Sequence, residues 1–339
     1  MKGTQLVLKA LVDNGAKYVF GYTGGAIMPI FDEMAKQQTL TFIMSRHEQG
    51  AAFMAQGLSR ASLSTGDPRI GVCMATSGPG AMNLVTGIAD AHMDSVPLLA
   101  ITGQVPTGVI ATDAFQESDV VGVMMPLTKQ TYMPLGIDEI ESTVHEAFFV
   151  AAAGRGGPVL VDIPKDVQIQ EKARVCDIDP RACEPEVPGY HRAPAVDMTL
   201  LKQAVGLINR SERPIILCGH GVITGNAGVQ LQTLAEKAHI PVAFTLHGLS
   251  AMPVDHPASL GMVGMHGTVA ANRALAQADL IIALGMRFDD RVTGNLKTFA
   301  VDTRVIHVEI DPSEIDKNVP TTVALHADVA QVLSHLGRD

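Results

Sequence analysis

The stretch Ser45-Arg46-His47-Glu48-Gln49-Gly50-Ala51-Ala52 puts an ionisable carboxylate where an apolar run gives way to a helical pattern. The run covers residues 40–44, and Ala51, Met54, Ala55 and Leu58 follow at i, i+3, i+4 and i+7. That spacing predicts a helix with one buried face. Two chemistries fit a glutamate in its first turn. Ser45-x-x-Glu48 is a capping box, in which the Glu48 side chain returns to the Ser45 amide. Alternatively, the carboxylate stands at a strand end in a mostly apolar site, is tuned by burial, and hydrogen-bonds a cofactor. Spacing alone leaves both open.

Three more stretches present glycine backbone or polar side chains just after apolar runs: Gly21-Tyr22-Thr23-Gly24-Gly25, Thr76-Ser77-Gly78-Pro79-Gly80 and Gly103-Gln104. Singly, each has a plain reading. Gly24-Gly25 makes a tight turn, and Ser77-Gly78-Pro79 starts a helix with proline in its first turn. Neither phosphate fingerprint, Gly-x-x-x-x-Gly-Lys-Ser/Thr or Gly-x-Gly-x-x-Gly, is present. Together they fall at the carboxyl ends of strands, where open α/β sheets bind ligands.

The elements that must position these groups alternate. Strands are expected over 18–20, 40–44, 70–75, 97–102 and 158–163. Helices are expected over 6–12, from about 26, from 48, after Gly80 and over 137–153. The segment from Gly103 to Lys129, with Gln104, Phe115 and Gln116, reads as irregular. From Pro164 to Pro194 the pattern lapses into a proline-rich linker. Beyond it come helices over 200–208, 229–238, 268–275 and 329–336, and strands over 214–217, 242–245, 280–284 and 304–310. The fold class is therefore α/β, with two doubly wound, mainly parallel-sheet domains. Their boundaries are 1–168 and 196–339, with a linker over 169–195.

Composition narrows the classes. The chain has 339 residues, 47% hydrophobic and 18% charged, with no Trp, enough for two cores. Its net charge of −10, with dispersed Lys and Arg, argues against nucleic acid and anionic membrane partners. No apolar run approaches a membrane span. The N-terminus enters a helical pattern with no signal peptide or Arg-rich presequence, so a cytoplasmic location is expected. Cys73, Cys176, Cys183 and Cys218 are scattered without a Cys-x-x-Cys pair. They read as reduced, apolar residues, and no metal site is expected from them.

Taken in order, the motifs carry a resemblance. They are Phe20-Gly21-Tyr22-Thr23-Gly24-Gly25-Ala26, Arg46-His47-Glu48-Gln49-Gly50-Ala51-Ala52, Thr76-Ser77-Gly78-Pro79-Gly80, Ile101-Thr102-Gly103-Gln104-Val105 and Thr112-Asp113-Ala114-Phe115-Gln116-Glu117. Further on stand Gly156-Gly157-Pro158-Val159-Leu160-Val161-Asp162-Ile163-Pro164-Lys165-Asp166, Gly264-Met265-His266-Gly267-Thr268 and Arg287-Phe288-Asp289-Asp290-Arg291-Val292-Thr293-Gly294. The chain resembles, over nearly its whole length, the catalytic large subunits of the acetohydroxyacid synthase (acetolactate synthase) family. These are thiamine diphosphate enzymes.

The resemblance implies roles. Glu48 matches the glutamate that hydrogen-bonds the cofactor's aminopyrimidine and favours its imino tautomer. The bound cofactor supplies the electron sink for loss of CO2 from pyruvate. Condensation with a second 2-keto acid, pyruvate or 2-ketobutyrate, gives acetolactate or acetohydroxybutyrate for branched-chain amino-acid synthesis. Gln104, Phe115 and Gln116 match positions near the reacting centre, Gln104 as a donor to a developing oxyanion and Phe115 as a wall of the acceptor pocket. Taken alone, Phe115 also admits a reading as a core aromatic. Arg287 matches the arginine that pairs the carboxylate of the second keto acid. Lys165 and Met262 match entrance and lining positions.

The first domain is thus implied to bind the pyrimidine through Gly24, Gly25, Ser77, Gly78, Gly80 and Asn83. The central domain is implied to bind FAD through Arg155, Gly219, Gly221, His266, Gly267, Thr268, Arg287, Asp289, Arg291, Glu309, Asp311 and Asp328. Thr23, Met82 and His247 depart from the family pattern. The family also has a third domain, whose Gly-Asp-Gly and downstream Asn hold the diphosphate through a divalent metal, a task suited to Mg2+. No Gly-Asp-Gly occurs in this sequence. The expectation is a two-domain synthase polypeptide, truncated or completed by a separate C-terminal-domain chain, with the metal ligands outside it. A homodimer or tetramer and a regulatory small subunit are implied as partners. The alternatives are another thiamine diphosphate carboligase, or a non-catalytic flavin-binding or subunit-interaction fragment.

Overall fold

A computed structural model describes residues 1–63, 67–172, 185–190 and 193–337. The chain divides into two compact units, Met1–His191 and Arg192–Asp339. The expected linker, 169–195, differs at its edges from what proline content suggests. Lys2 bridges to Glu171, the Gly3 amide donates to the Gln170 carbonyl, and Val187 and Tyr190 pack on the first unit's core. The middle of that linker, 173–184 and 191–192, lies outside the described residues, and with it Cys176 and Cys183.

In the first unit six strands form one parallel sheet. They are β1 (Tyr18–Gly21), β2 (Thr41–Met44), β3 (Gly71–Ala75), β4 (Leu98–Gln104), β5 (Gln130–Tyr132) and β6 (Pro158–Pro164), in the order β2-β1-β3-β4-β6-β5. Every residue of β3, β4 and β6 is buried, as expected of central parallel strands covered on both faces. One face packs Leu6, Ile27, Ile140 and Val144, and the other Ala51, Ala55, Ile88 and Met124.

The second unit repeats the plan with β7 (Pro214–Cys218), β8 (Val242–Phe244), β9 (Ser259–Met262), β10 (Leu280–Leu284), β11 (Arg304–Glu309) and β12 (Val323–His326). Their order is β12-β11-β10-β7-β8-β9, again all parallel. Counted within the unit this is 3-2-1-4-5-6, the order of dinucleotide-binding sheets. The short edge strands β5, β9 and β12 were not expected from the sequence. Among the described residues no helix is long and apolar enough to cross a membrane.

Strand order reverses between β1 and β3 in one sheet and between β7 and β10 in the other. Crevices at such points, outside the carboxyl ends of strands, are where α/β sheets bind ligands. The loop after β1 carries Gly24 and Gly25, and that after β3 carries Ser77, Gly78 and Gly80. The loop after β7 carries Gly219 and Gly221, and that after β10 carries Gly285 and Arg287.

In the second unit these loops touch. Gly285 has φ +55°, and a Cβ there would lie 2.6 Å from Gly221 Cα. Gly285→Ala combines a left-handed backbone with a backbone clash, so it should cost about 3 kcal/mol. Denaturant unfolding read by hydrogen exchange in β7 and β10 checks this, and unchanged protection there would contradict it.

Candidate functional site

Glu48 opens the helix Glu48–Ser62, and the residue that caps that helix is His47, whose Nδ1 accepts from the Gln49 amide at 3.2 Å. The capping-box reading is therefore corrected. The Ser45 amide continues the β1–β2 ladder by donating to the Gly21 carbonyl at 2.9 Å, which places it before the helix. Glu48 is buried, 8% exposed as a residue. Its Oε2 accepts from Asn83 Nδ2 at 3.0 Å, and its Oε1 has no hydrogen bond among the described residues.

The neighbouring loops close around this carboxylate. A Cβ on Gly80 would come within 2.8 Å of Thr76 Cγ2 and 3.3 Å of Glu48 Oε1. Thr76 Oγ1 accepts from the Ala26 amide at 3.1 Å, and Gln168 Nε2 donates to the Ala26 carbonyl at 2.8 Å and to Ile163 O at 2.8 Å. The Gly24-Gly25-Ala26 turn is thus held at both poles of one peptide segment. Gly78, at φ +55°, leaves no room for a side chain against the Gln116 carbonyl, so the loop after β3 rests on the Phe115–Gln116 segment. Ser77 is buried here as well.

Gln104 ends β4 and is buried. Its Nε2 donates to Asp162 Oδ2 at 2.8 Å and to the Ser118 carbonyl at 3.2 Å, and its Oε1 accepts from the Val105 amide at 2.8 Å. Both amide hydrogens are engaged in this conformation, so the expected donation to an oxyanion requires one of them to change partner. Phe115 is 87% exposed, which removes the core-aromatic reading. Its loop places Ala111, Asp113 and Gln116 at positive φ, conformations sparsely populated by residues with side chains. Glu117 compensates by accepting from the Ala111 and Ala114 amides, which hold its carboxyl below the usual range.

Lys165 begins a short helix, Lys165–Ile169, at the carboxyl end of β6, on the same edge as Glu48. Next to it Asp166 accepts from the Thr107 amide at 2.9 Å and the Thr107 hydroxyl at 2.6 Å. Arg155 is elsewhere. It precedes β6 at the amino edge of the sheet, where its Nε donates to Ser95 Oγ at 2.7 Å. Asp13, Glu141 and His145 bring ligand-type atoms within 4.8 Å of one another. However, Lys9 Nζ lies 2.7 Å from Asp13 and 2.8 Å from Glu141, so the chain supplies their counter-cation.

In the second unit the glycines at 219 and 221 serve protein packing. A Cβ on Gly219 would lie 2.7 Å from Met286 Cα, and one on Gly221 2.7 Å from Gly285 Cα. The backbone of both glycines is thus pressed against the loop after β10. Gly267 packs the same way, its Cβ position lying 2.5 Å from the Met262 carbonyl. Thr268, Asp289, Asp311 and Asp328 cap helices, accepting from the Ala271, Arg291, Ser313 and Ala330 amides respectively. Glu309 Oε1 accepts from the Ile310 and Asp311 amides. His266 is exposed. Arg287 Nε is 3.7 Å from Asp289, with its side chain 34% exposed, whereas Arg291 is 67% exposed and 3.8 Å from Asp290.

Sequence reasoning passed over Asp162, Thr102 and Gln168. The available signal was a charged residue inside the run Val159-Leu160-Val161-Asp162-Ile163, which forms a fully buried strand. Thr102 Oγ1 donates to Asp162 Oδ1 at 2.6 Å. Burial, with Asp119 adding a like charge, pushes the Asp162 carboxyl up to about 6 despite the bonds from Thr102 and Gln104.

Two family models match. The thiamine pyrophosphate enzyme N-terminal TPP binding domain matches residues 1–123, and the thiamine pyrophosphate enzyme central domain matches residues 201–336. The chain is 48% identical over 338 residues to a probable acetolactate synthase large subunit of Methanocaldococcus jannaschii, covering 99% of this chain and 56% of that protein. It is 48% identical over 336 residues to an acetolactate synthase of Mycobacterium bovis, covering 99% and 53%. To acetolactate synthase isozyme 1 large subunit of Escherichia coli it is 44% identical over 334 residues, covering 98% and 57%. The chain thus spans about half the length of these relatives.

Because the folded Asp162 carboxyl is raised from the ordinary 3.8 to about 6, its contribution to stability is full below the unfolded value. It is lost as pH rises through the folded value. Against an Asp162→Asn chain, the native chain should lose up to about 3 kcal/mol between pH 4 and pH 8. Urea midpoints of both chains at the two pH values measure this. A difference that stays constant with pH would contradict it.

Proposed function

We propose a function from one premise: the chain belongs to the thiamine pyrophosphate enzymes, as a homologue of acetolactate synthase large subunits. It supplies the pyrimidine-binding and central domains of an acetolactate synthase. That enzyme condenses pyruvate with a second 2-keto acid, pyruvate or 2-ketobutyrate, and releases CO2.

The observation that carries this reading is Glu48. The residue is buried, its carboxylate held through one oxygen by Asn83 and left with the other oxygen toward Gly80 at the switch point of the first sheet. Those residues fit the aminopyrimidine of thiamine diphosphate. The Glu48 carboxylate would hold a ring nitrogen, and Gly80, Ser77 and the latched Gly24-Gly25-Ala26 turn would hold the ring beside it. The bound cofactor supplies a nucleophilic carbon and an electron sink for decarboxylation. With the cofactor bound, Glu48 would hold the proton at the ring nitrogen, a bond that the surrounding burial would strengthen.

The second sheet's 3-2-1-4-5-6 order suits a dinucleotide, which supports FAD at the edge formed by residues 219–221, 264–268 and 285–291. Arg287 pairs the carboxylate of the acceptor keto acid, and the more exposed Arg291 on the same edge competes for that role. Mg2+ and the diphosphate need ligands of the Gly-Asp-Gly type, which does not occur in these 339 residues. Exposed Tyr22, Met28, Met44 and Phe115, all following or near carboxyl strand ends of the first unit, support a partner subunit that covers the site.

Acetolactate formation from pyruvate with thiamine diphosphate, Mg2+ and FAD tests the reading. The chain is assayed alone and with a separately expressed C-terminal half of a relative. Activity should require the added half, and Glu48→Gln should lower it roughly a hundredfold or more. Equal activity with Glu48→Gln removes Glu48 from the mechanism. Arg287→Ala should reduce acetohydroxyacid formation more than pyruvate decarboxylation. Equal losses in both, with the split appearing in Arg291→Ala instead, would transfer the role to Arg291.

A further inference from the structure

Asp162 is a buried carboxylate to which no Lys or Arg is paired among the described residues. Its register partner across β4–β6 is Thr102, and two residues further along β4 stands Gln104. Thr102 and Gln104 donate to its two oxygens at 2.6 Å and 2.8 Å. Such a group costs stability at neutral pH, and an apolar residue would serve the strand better. Its retention calls for a task that an acceptor-only group performs.

That task is visible in the Gln104 amide. A primary amide presents two donors at one end and an acceptor at the other. An ionised carboxylate accepts only, so it fixes which end of Gln104 faces β6. The carbonyl end is then directed at the Val105 amide, 2.8 Å away. One amide hydrogen is committed to Asp162. The other meets the Ser118 carbonyl at 3.2 Å, the longer of the two bonds. Ser118 follows Phe115, Gln116 and Glu117 in the loop that rests on Gly78.

We propose that Asp162 is a positioning residue that locks the amide sense of Gln104. The Ser118-bound hydrogen is then the one that passes to a carbonyl or carboxylate oxygen of a bound 2-keto acid. The identity of that acceptor rests on the carboligase reading, whereas the lock itself does not. Exchange of Ser118 for substrate releases the 111–118 loop from β4, so donor and loop respond together. The other titratable groups on residues 111–119 are Asp113, Glu117 and Asp119, of which Asp119 adds a like charge to Asp162. The Glu117 carboxyl is held low by backbone amides and titrates below the relevant range.

The test reads the side-chain amide resonances of Gln104 in the 15N-labelled chain, assigned by their loss in Gln104→Met. Between pH 5 and pH 8 the Gln104 pair should shift with a midpoint near that of Asp162, about 6. In Asp162→Asn the pair should be static over the same range. Thr102→Val removes a bond to the ionised form, so the midpoint should move to higher pH. This second variant decides the matter if Asp162→Asn does not fold. Asp119→Asn should lower the midpoint and keep the response. A Gln104 pair that ignores pH in the native chain, that titrates alike in Asp162→Asn, or whose midpoint is unmoved by Thr102→Val overturns the proposal. None of these readouts uses turnover, so failure here leaves the carboligase reading standing, and failure of the acetolactate assay leaves the lock standing.

Discussion

The first unit is arranged around one carboxylate that the backbone declines to use. A glutamate in the first turn of a helix ordinarily serves the helix, as a cap or against its dipole. Here His47 caps, and the parallel ladder claims the Ser45 amide, so Glu48 is left for another partner. Burial makes that partner matter, because a desolvated carboxylate needs hydrogen bonds. Asn83 provides one. The remaining oxygen faces the floor made by Gly80 and Thr76, at the point where the strand order reverses.

Around Glu48 the loops are braced from outside themselves. Thr76 and Gln168 hold the Ala26 peptide from two strands' ends, Asp166 holds Thr107, and Glu117 ties the Ala111 and Ala114 amides of a loop with three residues at positive φ. Rigid scaffolding of this kind keeps a site within the tolerance that chemistry needs. The second unit achieves the same by contact. Its two switch-point loops press glycine backbone on glycine backbone, and aspartates at the ends of the adjoining strands cap the helices that follow.

What the residues disclose in order, and what they conceal, has physical causes. The central strands were legible because burial on both faces demands unbroken apolar runs, as in residues 280–284. The edge strands β5, β9 and β12 were not, since Gln130-Thr131-Tyr132 and Ser259-Leu260-Gly261-Met262 are short and half-exposed. The Glu48 stretch was visible as chemistry, but its choice between cap and ligand depended on how far the β1–β2 ladder runs, a tertiary fact. Gly219 and Gly221 signal close backbone approach, but a sequence does not show that the loop after β10 is among what approaches. Asp162 was quoted only within a motif. Its meaning lies in Gln104, 58 residues away, and no spacing rule reaches that far.

The central claim is that the free oxygen of Glu48 receives an aminopyrimidine between the loops after β1 and β3. Its most direct measurement is a titration of the 15N-labelled chain with thiamine, followed through backbone amide shifts in the native and Glu48→Gln proteins. The expected result is a saturable response confined to the amides of Gly24, Gly25, Glu48, Gly78, Gly80 and their neighbours, weakened by Glu48→Gln. A response of the same amplitude and affinity in Glu48→Gln, or one centred away from these loops, would contradict the claim.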